Sequence, residues 1–228
     1  MTVPDGFKPN LAINIDDVKT QPEEVYVSEK LDGVRVIFFN GVAYSRSLKP
    51  IPNKHIQDIA KQYTTLNGCD GEIIAGDKHA KDVLQRSVSF AMKESKEDTF
   101  HVYLFDRMDV NNPSEGWFCR YNNLKNLQLP KNFSVLTHYP VSDKSAENID
   151  LNCFEREVLA VGGEGCILRD KHGFYKFGRS GKIKPSLQKL KKFDDAEFEV
   201  VGYEQLESNQ NAAKTNELGR TSRSSCKE

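Results

Sequence analysis

The sequence predicts a mixed α and β fold, and three observations carry that reading. Asn40-Gly41 separates two apolar, β-prone runs. His101-Val102-Tyr103-Leu104-Phe105 alternates as a half-buried strand does, and Ile56, Ile59, Ala60 and Tyr63 recur at the spacing of a helical apolar face.

Taken in order, Val34 to Phe39 and Val42 to Ser45 flank Asn40-Gly41, the two-residue signature of a type I′ hairpin, whose central residues both need positive φ. Pro52-Asn53 offers a helix start, and Asn67-Gly68 stops the helix that follows. Asp70-Gly71-Glu72-Ile73-Ile74 reads as a turn entering a strand. A helical patch from Val83 to Phe90 leads through the charged loop Lys93 to Asp98 into the strand at His101 to Phe105, which ends at Asp106. Trp117 to Leu127 and Phe154 to Val161 read as helices. Cys166-Ile167-Leu168 and Phe174-Tyr175-Lys176 read as strands across a Lys171-His172-Gly173 turn. A further strand is expected from Glu197 to Tyr203, with Asp194-Asp195 as a domain-linking turn. Beyond Leu206 the chain becomes polar, and it contains no internal repeat.

Composition sets outer bounds. A chain of 228 residues with 38% hydrophobic and 29% charged residues can bury a sizeable core, as one domain or one and a fraction. The net charge of -1 hides a basic stretch: Lys171, Lys176, Arg179, Lys182, Lys184, Lys189, Lys191 and Lys192 follow one another with no intervening Asp or Glu. That stretch should attract anions. Cys69, Cys119, Cys153, Cys166 and Cys226 are odd in number and scattered, which argues against a disulfide framework or zinc site and for a reducing, cytoplasmic setting. The start has no apolar signal-peptide core, and no later run is long enough to span a bilayer. His55, His79, His101, His138 and His172 lie far apart without ligand spacing and are read as ordinary surface or half-buried residues.

The most informative stretch is Ser28-Glu29-Lys30-Leu31-Asp32-Gly33-Val34-Arg35, just before the hairpin. It sets Lys30 beside a backbone-permissive glycine and between acidic and basic neighbours, as a covalent lysine nucleophile requires. An ordinary lysine is neutral in only about one molecule in a thousand at pH 7.5, and removing its proton costs about 4 kcal/mol. A reactive lysine therefore needs cations, a metal or desolvation nearby. For Lys30-Leu31-Asp32-Gly33 alone, a surface lysine in a tight Asp32-Gly33 turn is an equally good account.

Five further segments supply company: Ser45-Arg46-Ser47-Leu48-Lys49-Pro50, Asp70-Gly71-Glu72, Leu104-Phe105-Asp106, Glu164-Gly165-Cys166-Ile167-Leu168-Arg169 and Lys189-Leu190-Lys191. Strand alternation sends Lys189 and Lys191 to one face, where two ammonium groups can converge on a phosphate while Leu190 packs behind. Glu164 and Glu72 could hold a hard divalent cation, and Phe105 could stack on a base. Singly, each has a plainer reading: Phe105 as core, the two glutamates as turn residues, the two lysines as a solvated strand face.

Together and in this order, the segments resemble the covalent nucleotidyltransferase superfamily of ATP-dependent DNA ligases, RNA ligases and mRNA capping enzymes. The chain is most similar to the small DNA ligases of viruses and bacteriophages. That likeness rests on Ser45-Arg46-Ser47-Leu48-Lys49-Pro50-Ile51-Pro52-Asn53, Tyr175-Lys176-Phe177-Gly178-Arg179-Ser180 and Lys192-Phe193-Asp194-Asp195-Ala196-Glu197, and runs from about Leu11 to the C-terminus.

The resemblance implies an α+β nucleotidyltransferase (adenylation) domain over residues 1–193, with two antiparallel-rich sheets flanked by helices. Residues 194–228 would be the incomplete opening of an oligonucleotide-binding (OB) fold. It implies a monomeric, ATP-dependent DNA ligase that uses Mg²⁺ or Mn²⁺ and nicked duplex DNA. Lys30 would carry AMP as a phosphoramidate. Arg35 and Glu72 would contact the ribose, Phe105 would stack on adenine, Glu29 would lie against the base through its backbone, and Glu164, with Glu72, would support the metal. Lys189 and Lys191 would take the α-phosphate, Arg46 and Lys49 the nick 5′-phosphate, and Arg179 would add charge near nucleotide or DNA. Two departures stand out: Gln188 occupies a usually apolar position, so its strand should pack less well, and the chain stops at Lys227-Glu228, before the segment that orients pyrophosphate in the family. The first, ATP-dependent step should suffer more from that than the final sealing. An RNA ligase or capping-type enzyme and a non-catalytic nick-binding module are the alternatives.

Overall fold

The structure, a computed structural model, describes residues 3–94, 99–109, 112–141, 149–191, 199, 201–203, 211–215 and 221–223. In chain order the elements are β1 (Ile13–Asn14), β2 (Val25–Glu29), β3 (Val34–Phe39), β4 (Val42–Tyr44), α1 (Lys54–Gln62), β5 (Cys69–Ala75), α2 (Val83–Met92), β6 (Phe100–Arg107) and α3 (Trp117–Lys125). There follow β7 (Phe133–Val135), β8 (Tyr139–Val141), α4 (Leu151–Ala160), β9 (Cys166–Asp170), β10 (Leu187–Leu190), β11 (Lys214–Thr215) and β12 (Thr221–Ser222). They form an α+β domain with two five-stranded sheets, ordered β1-β10-β9-β2-β8 and β4-β3-β5-β6-β7, and a small β11-β12 pair. Both large sheets are mainly antiparallel; β1 with β10 and β6 with β7 are the parallel exceptions.

The chain crosses from the first sheet to the second between β2 and β3, and Lys30 sits in that crossing. Asn40 and Gly41 take φ of 52° and 74°, so the hairpin turns as its sequence predicts. Asn53 caps α1, its side-chain oxygen accepting from the backbone N–H of His55 at 3.0 Å and Ile56 at 3.2 Å. Ile56 and Ala60 of α1 and Phe90 and Ala91 of α2 then pack with Val36, Phe38, Ile73, Val102 and Leu104 into the core of the second sheet. The first sheet buries Val27, Cys166 and Leu168 against Val158 and Phe154 of α4. No helix among the described residues is long and apolar enough to cross a membrane.

Three expectations need correction. Asp70 is not in a turn: it lies inside β5, because its carboxylate has buried partners that make an extended, enclosed position tolerable. Phe174 to Lys176 is irregular rather than a strand, its backbone diverted so that Tyr175 enters the cluster of Phe7, Ile37, Phe39 and Met108. The basic stretch is partly neutralised, since Lys171, Lys182 and Lys184 pair with Glu24, Asp17 and Glu23 before β2. The expected strand at Glu197 to Tyr203 and the expected OB-fold opening lie largely outside the described residues.

Gln188 is fully buried in β10, and neither side-chain amide atom has a hydrogen-bond partner among the described residues. Its neighbours across the strands are Ile13 and Leu168. An unsatisfied buried amide costs about 1–3 kcal/mol. Gln188→Met, which keeps the shape without the polar atoms, should therefore raise stability by about 1–2 kcal/mol, read as a higher urea midpoint at unchanged slope.

Candidate active site

A cavity of about 520 Å³ opens between the two sheets. Its lining includes Glu29, Lys30, Arg35, Arg46, Glu72, Phe105, Glu164, Arg179, Lys189 and Lys191. Every residue singled out from sequence thus reaches one space except Lys49, whose ammonium group instead donates to the Thr215 carbonyl. The volume lies in the range of small-molecule and cofactor sites.

At the centre is a three-membered ion cluster. Glu164 accepts from Lys30 through Oε2 and from Lys191 through Oε1, the latter at 2.6 Å. Lys30 is 23% exposed and therefore sheltered rather than solvent-directed. Its backbone N–H donates to the Gly165 carbonyl at 2.8 Å, joining the Lys30 segment to the Glu164 turn. Gly165, at φ 142°, is required by close approach, since a Cβ there would meet the Leu190 carbonyl at 2.3 Å. Gly33 serves in the same way: a Cβ would meet the Ile73 carbonyl oxygen of β5 at 2.3 Å. It is there for a close crossing, not for the permissive turn that its Asp-Gly pair suggests. Burial alone would raise the Glu164 carboxyl; hydrogen bonds from Lys191 and Lys30 outweigh it and hold the group below the usual carboxylate range. The hydrogen bond to Glu164 in turn holds Lys191 above the usual lysine range.

The expectation that cations crowd Lys30 is met only at one remove. Its direct partner is an anion, with Lys191 on that anion's other oxygen. Lys189 lies opposite Ile167 on β9, one alternation from Lys191, with Leu190 packed behind against the α4 core.

Phe105 is aimed by a β-bulge. Register pairs Asp70 with Asp106 and Gly71 with Leu104, so Phe105 is the extra residue on β6 and enters the cavity wall. The guanidinium carbons of Arg35 and Arg169 each lie 5.0 Å from its ring centroid. Behind it are two buried aspartates that sequence reasoning missed. Asp70 takes a bidentate grip from Arg35 and a hydrogen bond from the Tyr175 hydroxyl. Asp106 accepts from Arg120 Nε at 2.8 Å, from Arg169 Nη1 at 3.0 Å and from the Arg107 backbone. Burial works to raise Asp106, but Arg120 and Arg169 more than reverse it and keep the carboxyl below its usual range. The signal was present as an aspartate near the start of one largely apolar strand and another near the end of the next, which antiparallel pairing sets opposite each other and where an unpaired charge would be prohibitive.

Glu72 is the group most poised to titrate. Burial in the cavity wall, against the lowering pull of Arg35 and Lys30, pushes its carboxyl up to about 7. Arg46 is exposed on a tight loop held by Ser45 N–H to Lys49 O and Leu48 N–H to Ser45 O, both 2.9 Å, with Leu48 in the left-handed region at φ 60°. Arg179 donates to the Ala12 carbonyl at 2.8 Å. No group of three or more His, Cys, Asp or Glu side chains placed to hold a metal occurs among the described residues.

Removing one charge from the buried set leaves guanidinium groups uncompensated, which typically costs about 3–5 kcal/mol. Asp106→Asn should lower stability by about 3 kcal/mol or more in urea unfolding, with Arg120 and Arg169 as the stranded partners.

Comparison with known proteins agrees with this geometry. The profile of the ATP dependent DNA ligase domain matches residues 9–191. Among solved structures, a Chlorella virus DNA ligase-adenylate superposes with a TM-score of 0.65 at 29% identity, over 83% of this chain and 69% of the viral one. A Lig E DNA ligase gives a TM-score of 0.60 at 24% identity, over 84% and 70%. A mycobacterial DNA ligase D complexed with ATP shares the fold at 18% identity, with a TM-score of 0.57 over 84% and 62%. Comparison with curated protein sequences returned no match. The profile spans all of the cavity's motif residues, from Glu29 to Lys191, and this chain is therefore a member of the ATP-dependent DNA ligase family.

Proposed function

We propose that this chain seals nicks in duplex DNA by three transfers centred on Lys30, acting as a monomer in the cell interior. The observation that carries the reading is the meeting, in one cavity, of Lys30, Glu164 and Lys191 as an ion cluster with Phe105, Glu72, Arg46 and Lys189 around it. The family profile, ending at Lys191, supports drawing the nucleotidyltransferase boundary near residue 193.

In the first transfer the Lys30 amine, having given up a proton, attacks the α-phosphorus of ATP. A nitrogen–phosphorus bond forms, the bond to the bridging oxygen breaks, and pyrophosphate leaves. In the second, a DNA 5′-phosphate oxygen displaces the lysine and takes up AMP. In the third, the neighbouring 3′-hydroxyl attacks that 5′-phosphorus and AMP departs. Because charge builds on the phosphoryl oxygens, cations fixed in advance do most of the work. Lys189 and Lys191 supply them, and on binding phosphate Lys191 exchanges Glu164 for a phosphoryl oxygen. Phe105 offers its ring to adenine, with Arg35 and Arg169 against that ring, and Arg35 and Glu72 contact the ribose, Glu72 accepting from its hydroxyls. Glu29 meets the base through its backbone. Arg46, Lys49 and Arg179 receive the DNA phosphates.

A divalent cation fits the donor set, since Mg²⁺ is commonly held by one or two carboxylates together with substrate phosphates. Glu164 is the residue placed to take it, with Glu72 as the second carboxylate in the cavity. Held there, such an ion would supply charge neutralisation of the phosphates.

Wild type incubated with ATP labelled at the α-phosphate should acquire acid-labile label, lost in Lys30→Ala and discharged by nicked DNA. Label from GTP, or discharge by nicked RNA alone, would favour the capping-type or RNA ligase alternatives, and tight nick binding with no label a non-catalytic module. A second outcome follows from Glu72. Below pH about 7 its carboxyl is protonated and no longer accepts from two hydroxyls, so affinity for a non-reactive α,β-methylene ATP analogue should fall as pH drops through that value. Calorimetric titration should show this limb in wild type and a flat profile in Glu72→Gln.

A further inference from the structure

On the side of the first sheet away from the cavity, a second ion cluster ties the nucleophile motif to the opposite wall. Glu29 lies across from Cys166, whose side chain is in the α4 core, so its carboxylate leaves by that face while its backbone stays in the cavity wall. There it accepts from the Lys78 ammonium through Oε2 and meets His79 Nε2 through Oε1 at 2.7 Å. Lys78 and His79 sit on the loop that follows β5, so the contact spans from the first sheet to the second. The loop is braced: His79 N–H donates to Asp77 Oδ1 at 3.0 Å and Ala80 N–H to Asp77 O at 3.2 Å. The turn before Glu164 closes over the cluster. A Cβ on Gly163 would meet Glu29 Oε1 at 3.3 Å and Val158 O at 2.9 Å, and one on Gly162 would meet His79 O at 3.2 Å.

The Glu29 carboxylate is 12% exposed, and Lys78 and His79 are 31% and 24% exposed, so the cluster is largely shielded from water. It pins three things: the backbone of Ser28 and Glu29, the loop leading into α2, and the glycine turn that presents Glu164 to Lys30. Leu84 and Val88 of that helix line the cavity. The gap between the walls, into which a planar base must fit opposite Phe105, is thereby held at one width before a nucleotide arrives.

We propose that Lys78 and His79 are positioning residues for ATP, acting through the Glu29 carboxylate to preset the nucleotide slot. Neither belongs to a segment that marked the family in the sequence, and neither lines the cavity. This rests on the reading of the cavity as a self-adenylating site. It assigns the cluster to nucleotide binding rather than to the transfer itself, because its members face away from Lys30, Glu164 and Lys191.

The test is self-adenylation kinetics on the full chain, with sealing of pre-adenylated nicked DNA as a parallel assay. Lys78→Met and Glu29→Gln should each raise KM for ATP about tenfold, the scale of losing a hydrogen bond to a charged group, and Lys78→Met should leave the maximal labelling rate and sealing of pre-adenylated nicks within about twofold. Lys78→Arg, with His79 intact, should restore KM. The double variant Lys78→Met, Glu29→Gln should be no worse than either single one. Additive effects would mean that Lys78 acts on ATP by its own charge and would overturn the proposal, as would a fall in labelling rate at unchanged KM or equal losses in both assays. Absence of label on the wild-type chain would instead refute the self-adenylation reading itself.

Discussion

A carboxylate shared by two ammonium groups organises this molecule. Glu164 binds Lys30 from the crossing between the sheets and Lys191 from beyond the end of β10, so the proposed nucleophile and a proposed phosphate-binding cation are held together. The arrangement is self-consistent electrostatically. Two positive groups this close would repel without the anion between them, and a phosphate that replaces the carboxylate finds both already in place.

The pairing also sets the problem that catalysis must solve. An amine has to be unprotonated and released from a carboxylate partner before its lone pair can reach a phosphorus atom. In the proposed sealing reaction the resting cluster aligns Lys30, and attack follows once Glu164 has let it go. Positioning and activation are separated in time by one exchange of partners.

Beneath that site lies a layer of buried charge. Asp70 holds Arg35 and Asp106 holds Arg120 and Arg169, with Arg35 and Arg169 against Phe105 and Arg169 also against Trp117, each aspartate satisfied by two or more donors. Buried ion pairs of this kind are weak sources of net stability but strong sources of geometry, since only one arrangement satisfies all members. The bulge that pushes Phe105 forward also sends Asp106 back to meet its arginines, so ring and support are set by the same irregularity in register. Gln188 shows the opposite case, a buried amide on the α4 side with no hydrogen-bond partner among the described residues.

Much was written locally. Asn40-Gly41 requires its hairpin, Asn53 its cap, Ile56 and Ala60 their helix face, and the alternation of Lys189, Leu190 and Lys191 sends both ammonium groups to one side, because periodicity and turn chemistry act over a few residues. The order of the charged segments sufficed to gather Lys30, Glu72, Phe105 and Glu164 as candidates. Pairing across the fold was not legible. Asp70 looks like a turn residue until Arg35 and Tyr175 enclose it, Gly33 and Gly165 look permissive until Ile73 and Leu190 crowd them, and His79 looks idle until Glu29 reaches it. The sequence by itself determined the segments and the chemistry each could offer; the tertiary structure decided which charges meet, because a partner 35, 50 or 134 residues away is chosen by how two sheets pack and not by anything its neighbours in the chain encode.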